Sequence, residues 1–525
     1  MATTSLSIFQ STPAPHHAVK TNYTSPRQGL ESCSRMVEFR QHHARIIKLG
    51  LSSDNDAIGR VIKFCTSSSA DIDYALKVFD TIPHPDVFIY NTILKGLMQY
   101  QLLSSCIGLY LAMLESLVCP NSFTFPIIVK ACSDCNAVAE GKQVHCHVVK
   151  FGFHSDIYCS NNLIQMYAKL QLLDEARRVF DQMPKPNAVS WTTMISGYSK
   201  LGQVDGAYEF FQLMADKKSN PAACNAMLAA YVQSSRFQET FALFDRFQLE
   251  NVALDKLMAT SMLSACTGLG ALERGQWIHK YVEQSAFEVD SKLAASVIDM
   301  YCKCGCLEKA FEAFNSFPQR VVSVSCWNNM IGGLAMHGEG EAAVELFIEM
   351  EKKKIVPDHI TFVNLLNACA HSGLVEQGQF YFQYMSQVYG IEPRLEHYGC
   401  LVDLLGRAGL LTKAEKLVDE MVQSIGPDAS VLGALLGACR VHGNIQLGEE
   451  IGHRLIELEP ENSGRYVLLA NMYANTGRWE DVARVRNLMS VRHVKKPPGS
   501  SMIEVNSIVN EFIAGGNTHP QSKDK

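Results

Sequence analysis

Chemistry in this chain needs side chains that can ligate, attack or share protons, and a few groupings of them stand out. His337-Gly338-Glu339 has the His-x-Glu spacing with which a zinc deaminase holds its metal and moves a proton. The other half of such a site, Pro-Cys-x-x-Cys, does not follow it, and His-Gly recurs at His442-Gly443 as a helix ending would. Cys132-Ser133-Asp134-Cys135 with His145 and His147 offers ligands of the type zinc takes. Yet Cys132 recurs as Cys266, Cys369 and Cys439, each after an alanine and each eleventh in a repeating unit, which is how a small core residue behaves. Lys352-Lys353-Lys354 reads as the solvated end of a helix, and no glycine-rich phosphate loop or nucleophile constellation occurs. The expectation is therefore no catalytic residue, no metal and no cofactor. What remains is a set of side chains that both donate and accept hydrogen bonds. Asn91, Asn161, Thr192, Asn225, Thr260 and Asn328 recur at one register.

That register must be set by the elements around it. Ile89-Tyr90-Asn91-Thr92-Ile93, Ser190-Trp191-Thr192-Thr193-Met194, Ala223-Cys224-Asn225-Ala226-Met227 and Cys326-Trp327-Asn328-Asn329-Met330 share one pattern. With the intervening copies, anchors fall at 91, 126, 161, 192, 225, 260, 295, 328, 363 and 399, spaced by 31 to 36 residues. Such a period marks a repeat architecture. Each interval holds two helical stretches. The first ends at a glycine, as in Lys200-Leu201-Gly202, Lys303-Cys304-Gly305 and Met336-His337-Gly338, the usual left-handed cap. The second carries an i, i+4 pair of Ala and Phe on one face: Ala75/Phe79, Ala176/Phe180, Ala207/Phe211, Ala310/Phe314 and Ala343/Phe347. Prolines 83, 120, 184, 318 and 357 then break the chain. The predicted fold is all-α, an α-solenoid of stacked helix-turn-helix repeats.

Composition narrows the class. The 525 residues are 47% hydrophobic and 19% charged, neither disordered nor membrane-like, and no stretch looks able to span a bilayer. The net charge of −6 speaks against a duplex-DNA binder held by phosphate neutralisation, but single strands can be held through bases and stacking. Residues 1–30 contain no Asp or Glu and are rich in Ser and Thr, which resembles an organelle transit peptide; with Arg27 their one arginine, a plastid is favoured over a mitochondrion.

Repeat length and signature, in Phe88-Ile89-Tyr90-Asn91-Thr92-Ile93 and Val356-Pro357-Asp358, resemble the plant pentatricopeptide repeats, and the variable spacing resembles the class that alternates P, L and S variants. The array is read as 31–428, with repeats at 55–86, 87–121, 122–156, 157–187, 188–220, 221–255, 256–290, 291–323, 324–358, 359–394 and 395–428. Residues 429–525 resemble the family's C-terminal E motifs with a partial extension. There Gly499-Ser500-Ser501-Met502-Ile503-Glu504-Val505 departs from the family's Gly-Cys-Ser-Trp-Ile-Glu-Val.

The resemblance implies a single-stranded RNA-binding protein of an organelle. Its C-terminal region would recruit a separate, deaminase-bearing protein for cytidine-to-uridine editing, and the chain itself would not be an enzyme. Transcript stabilisation or splicing is the alternative, and a protein-binding scaffold a more distant one. In this family the fifth and last residues of a repeat read one base together. Carried over, the pairs are Asn91/Asn121, Asn161/Asn187, Thr192/Asn220, Asn225/Asp255, Thr260/Asp290 and Asn328/Asp358. Second residues such as Phe88, Tyr158 and Val189 would wedge between bases, as would Phe123, Leu257 and Ile360. Asn/Asp implies U, Thr/Asn implies A and Asn/Asn a pyrimidine. The last repeat would face the fourth base upstream of the edited C. Gly59/Asp86, Pro126/Asp156, Ala295/Ser323, Val363/Arg394 and Gly399/Asp428 fit none of the usual pairs. The competing reading is that these asparagines cap helices.

Overall fold

The computed structural model describes residues 36–66, 71–214, 220–250, 252–285, 288–496, 498–505 and 508–514; the leader expected at 1–30 lies outside them. Among the described residues the chain forms 27 α-helices, one short 3-10 turn and a β-hairpin. It divides into two compact units, one running to Phe210 and one from Phe211.

In the first unit, helices Asn55–Cys65, Val87–Gln99, Thr124–Asp134, Ile157–Lys169 and Ala188–Lys200 each pack against the next. Each of the first four is followed by a second helix, such as Leu173–Asp181, that also touches the first helix of the following repeat. The second unit continues the scheme from Pro221–Gln233 to the pair Ser463–Asn475 and Trp479–Val491. This is the expected α-solenoid, in which each hairpin buries its apolar face on its neighbours.

The anchors pack as their residue types require. Phe180 meets Trp191 edge-on at 4.7 Å between centroids, and Phe314 meets Trp327 likewise at 4.9 Å. The second-helix Phe thus seats on the aromatic that precedes the next register residue. Ala176, Ala207, Ala310 and Ala343 are fully buried. Histidines add polar ties: the Nδ1 atoms of His145 and His279 lie 2.9 and 3.0 Å from the hydroxyls of Tyr167 and Tyr301. Gly202, Gly305 and Gly338 have the left-handed φ of 72°, 81° and 76° expected of caps.

One element departs from an all-helical reading. Ser500–Val505 and Ile508–Ile513 pair as an antiparallel two-stranded hairpin, Ser500 opposite Ile513. Its first strand carries the motif that begins at Gly499 and ends at Val505.

Candidate RNA-reading site

Most first helices open on an Asp or Asn that ends the preceding repeat; Ser323 and Arg394 stand before two that have no such cap. Asp86, Asp156, Asn187, Asn220, Asp255, Asp290, Asp358 and Asp428 all accept a hydrogen bond from a backbone N–H in the first turn. Capping therefore belongs to the last residue of the repeat. The fifth residue sits five positions into the helix, where an Asn is ordinarily unfavourable because it competes for backbone bonds. Asn91, Asn161, Asn225 and Asn328 are nonetheless buried there. Capping does not explain them, and a second partner does.

That partner is the last residue of the same repeat, already aimed at the spot by its capping role. Asn225 Nδ2 donates to Asp255 Oδ2 at 2.8 Å, while Asp255 Oδ1 accepts the Met258 N–H. Asn328 Nδ2 donates to Asp358 Oδ1 at 3.0 Å. Asn91 Nδ2 donates to Asn121 Oδ1 at 3.1 Å, and Asn161 Nδ2 to Asn187 Oδ1 at 3.4 Å. A carboxylate only accepts, so Asp255 and Asp358 hold the amide NH2 toward themselves and turn the carbonyl oxygen elsewhere. At Asp358 burial works to raise the pKa, but the Thr361 N–H and the donors from Asn328 and Thr361 hold it below its ordinary value.

A third group, unmarked by the family register, completes two of these sites. The Thr124 hydroxyl donates to Asn91 Oδ1 at 2.8 Å, and the Thr361 hydroxyl donates to Asn328 Oδ1 at 2.7 Å. Both threonines are the third residue of the following repeat and are fully buried. Their signal in the sequence is capping-box spacing, Asn121-x-x-Thr124 and Asp358-x-x-Thr361, which looks like nothing beyond a helix start. Asn161 Oδ1 and Asn225 Oδ1 are buried with no partner. An unpaired buried acceptor costs ~1–3 kcal/mol, a cost a base donor would relieve.

The remaining pairs behave differently. Thr260 and Asp290 are turned to other partners: the Thr260 hydroxyl donates to the Lys256 carbonyl at 2.9 Å, and Asp290 makes a 2.7 Å ion pair with Lys256. The Lys256 hydrogen bond is the main reason the Asp290 carboxyl lies below its ordinary pKa. Lys256 is the first residue of its repeat, a position to which the register assigns no role. Thr192 lies in the first unit and donates to the Ala188 carbonyl at 2.8 Å; Asn220, in the second, caps its helix through the Ala223 N–H at 3.2 Å.

Second residues stand beside the fifth on the same helix face, one turn away. Phe88, Tyr158 and Val189 are 54%, 64% and 56% exposed, and Phe123, Leu257 and Ile360 are exposed too. The Phe88 ring comes within 3.0 Å of where a Cβ on Gly59 would lie, so it leans over the fifth position of the preceding repeat. An exposed apolar side chain in that place can slide between neighbouring bases and unstack them. Where the fifth residue is small, grooves open instead: about 440 Å³ around Ala295 and about 420 Å³ around Gly399.

The side chains with catalytic potential are otherwise engaged. Cys132, Cys369 and Cys439 are fully buried, and burial pushes their thiols up to about 12, 11 and 11. His145 and His147 are paired with Tyr167 and Tyr110. His337 Nε2 lies 2.8 Å from the Cys302 carbonyl, at a helix end. Lys353 pairs with Glu349 and stands over the Trp327 ring. Among the described residues no group of three or more His, Cys, Asp or Glu is placed to hold a metal, and no helix is long and apolar enough to cross a membrane.

Comparison with known proteins gives these sites a context. Residues 85–134 and 322–371 match the PPR repeat family. The shorter PPR repeat matches at 158–185, 189–219, 222–252, 295–320 and 396–424, and the E motif at 442–504. A pentatricopeptide repeat-containing protein of Arabidopsis thaliana is 42% identical over 494 residues, covering 94% of this chain and 79% of its own. A second from that plant, named chloroplastic, is 35% identical with coverages of 94% and 80%; a third, named mitochondrial, is 40% identical with 94% and 87%. A crystal structure of the repeat protein PPR10 with an 18-nt psaJ RNA element aligns over 90% of this chain and 82% of that one, at 16% identity and a TM-score of 0.48.

Proposed function

The chain belongs to the pentatricopeptide repeat family of plant proteins, in its E subgroup, and from that premise we propose that it binds single-stranded organelle RNA in a sequence-specific way and selects sites for C-to-U editing. The observation that carries the reading is the recurring contact between fifth and last residues. Four buried asparagines, each in a helix interior where capping has no use for them, are oriented by the residue that caps the next helix. A base edge presented to such an amide meets a donor and an acceptor fixed in direction. The exposed second residues separate neighbouring bases, and the negative net charge is tolerable because affinity rests on these contacts more than on phosphates.

The editing role rests on the E motif at 442–504. Residues 429–525 dock a deaminase-bearing protein supplied separately, and this chain contributes RNA recognition without catalysis. RNA runs 5′ to 3′ along the array, so Asn328/Asp358 faces U at the sixth base upstream of the edited C, Asn225/Asp255 faces U at the ninth and Thr192/Asn220 faces A at the tenth. Thr260/Asp290, held apart by Lys256, contributes little at the eighth. The plastid is the compartment, with residues 1–30 as the transit peptide.

The test is a change of letter. Asn225→Thr, beside Asp255, moves the preference at the ninth base from U toward G, measured as relative Kd for probes differing at that base alone. A good base contact is worth ~1–3 kcal/mol, so the ratio should change by roughly tenfold or more. Identical U and G affinities before and after the substitution would sink the register. Mixing the protein and RNA with and without a deaminase-bearing partner tests the second half: conversion without the partner would show that the chain is itself an enzyme.

A further inference from the structure

The two Asn/Asn repeats carry the same pair of reading residues, yet the structure builds them differently. In repeat 87–121, Asn91 is held from both ends of its amide. Its Nδ2 donates to Asn121 Oδ1 at 3.1 Å, and its Oδ1 accepts the Thr124 hydroxyl at 2.8 Å. The direction of that hydroxyl is itself settled. Thr124 Oγ1 accepts the Asn121 N–H at 3.1 Å, so its own proton must go to an acceptor, and Asn91 Oδ1 is nearer than Asn121 Oδ1 at 3.1 Å. Asn121 cannot turn over, because its Oδ1 also accepts the N–H groups of Phe123 and Thr124. Flipping Asn91 would therefore break two bonds and set oxygen against oxygen.

In repeat 157–187 the corresponding third residue is Ser190. Its hydroxyl donates to Asn187 Oδ1 at 3.0 Å, and no bond to Asn161 is formed. Asn161 is left with one bond of 3.4 Å through Nδ2, near the limit for a hydrogen bond, and its buried Oδ1 has no partner. Turning this amide over breaks one weak bond where Asn91 would lose two, although its oxygen would then face Asn187 Oδ1, which the Ser190 N–H and hydroxyl hold in place.

The distinction matters for the base because uracil and cytosine differ at N3, a donor in one and an acceptor in the other. An amide fixed with its NH2 toward the last residue presents the same atoms whichever base arrives. An amide held by one weak bond turns more readily and can suit either. We propose that the third residue of the following repeat is a specificity-setting positioning residue: Thr124 makes Asn91/Asn121 discriminate between U and C, in favour of U, while Ser190 leaves Asn161/Asn187 indifferent between them. This rests on the base-reading function proposed above. It departs from the expectation that both pairs accept either pyrimidine.

The experiment uses the purified full chain and RNA probes that carry U, C, A or G at the thirteenth base upstream, facing Asn91, or at the eleventh, facing Asn161. The wild-type U-to-C affinity ratio is expected to be at least fivefold at the thirteenth base and below twofold at the eleventh. Thr124→Val, equal in shape and without the hydroxyl, brings the thirteenth ratio down to that of the eleventh and leaves the eleventh unchanged. A purely structural role for Thr124 would weaken all probes alike and leave the ratios intact. Ser190→Thr is the reciprocal variant and raises the eleventh ratio at least threefold; it decides the matter if Thr124→Val does not fold. Equal wild-type ratios at the two bases, or ratios unmoved in both variants, would overturn the inference while base reading stands. No base preference at any probed position in the wild type would remove base reading itself, and the inference with it.

Discussion

Replacing Asp255 by Asn separates the two jobs that one carboxylate performs. Its Oδ1 caps the helix through the Met258 N–H, and its Oδ2 holds Asn225 Nδ2, each at 2.8 Å. An asparagine has one oxygen. If that oxygen keeps the cap, an NH2 group faces the Asn225 NH2, and Asn225 must turn over or lose its partner. Capping survives, since Asn and Asp cap about equally well, so global stability should change by less than ~0.5 kcal/mol. The reading contact changes more. A hydrogen bond to a charged group contributes ~1.5–3 kcal/mol and a neutral one ~0.5–1.5, so roughly 1 kcal/mol of orienting energy is lost. At about 1.4 kcal/mol per tenfold, the preference for U over C at the ninth base should fall about fivefold or further. No hydroxyl compensates, because the third residue here is Met258. Asp358→Asn is the built-in control. There a single oxygen, Oδ1, accepts both the Asn328 amide and the Thr361 N–H, so an asparagine can reproduce both bonds. The assay is equilibrium binding to probes varied at the ninth or sixth base, with thermal melts alongside. Equal losses in the two variants, or a lower melting point in Asp255→Asn with an unchanged U-to-C ratio, would refute the reasoning.

Two further outcomes concern the scaffold. Burial lowers the pKa values of His145, His279 and His397, so these rings are neutral when folded but take a proton near pH 6.5 when unfolded. Their contribution is complete above that pH and is lost as pH falls below it, so the melting midpoint should drop between about pH 7.5 and 5.5; a flat midpoint would contradict this. Gln171 holds a left-handed φ of 62° where most of the later repeats have glycine, so Gln171→Gly should stabilise the fold by about 0.5–1 kcal/mol, and Gly202→Ala, at φ 72° in open space, should do the reverse; chemical denaturation measures both.

The solenoid is legible in the sequence because its signals are local and repeated. The anchor spacing, the glycine caps and the Ala/Phe pairs each state the same hairpin, and their agreement leaves little freedom. The pairing of fifth and last residues is legible through the family register, and four of the six pairs are joined by a hydrogen bond in the structure. Thr260/Asp290 is not foreseeable from those two positions, because Lys256 captures the carboxylate from a first position that carries no weight in the register. Thr124 and Thr361 are hidden for a different reason. Their hydroxyls serve a capping box and a fifth-residue amide together, and the sequence displays only the first. The strands at 500–513 escape a reading tuned to helical period, since two six-residue runs after a long helical array declare themselves only through their β-branched content.

In four repeats the last residue answers to two masters, which, on the proposed function, limits how such a protein can drift to new targets. On the proposed base-reading function, a mutation at the fifth position changes a letter without touching a helix start. A mutation at the last position is screened first by folding, which admits only short acceptors such as Asp, Asn, Ser or Thr. In this chain Asp86, Asn121, Asp156, Asn187, Asn220, Asp255, Asp290, Ser323, Asp358 and Asp428 obey the restriction, and Arg394 departs from it. The alphabet available to the array is thus narrowed by helix nucleation, before any RNA is encountered. On the proposed function, a transplantable module built on repeat 87–121 or 324–358 ends at the third residue of the next repeat, since a cut at the repeat boundary severs the amide from the Thr124 or Thr361 hydroxyl bonded to it.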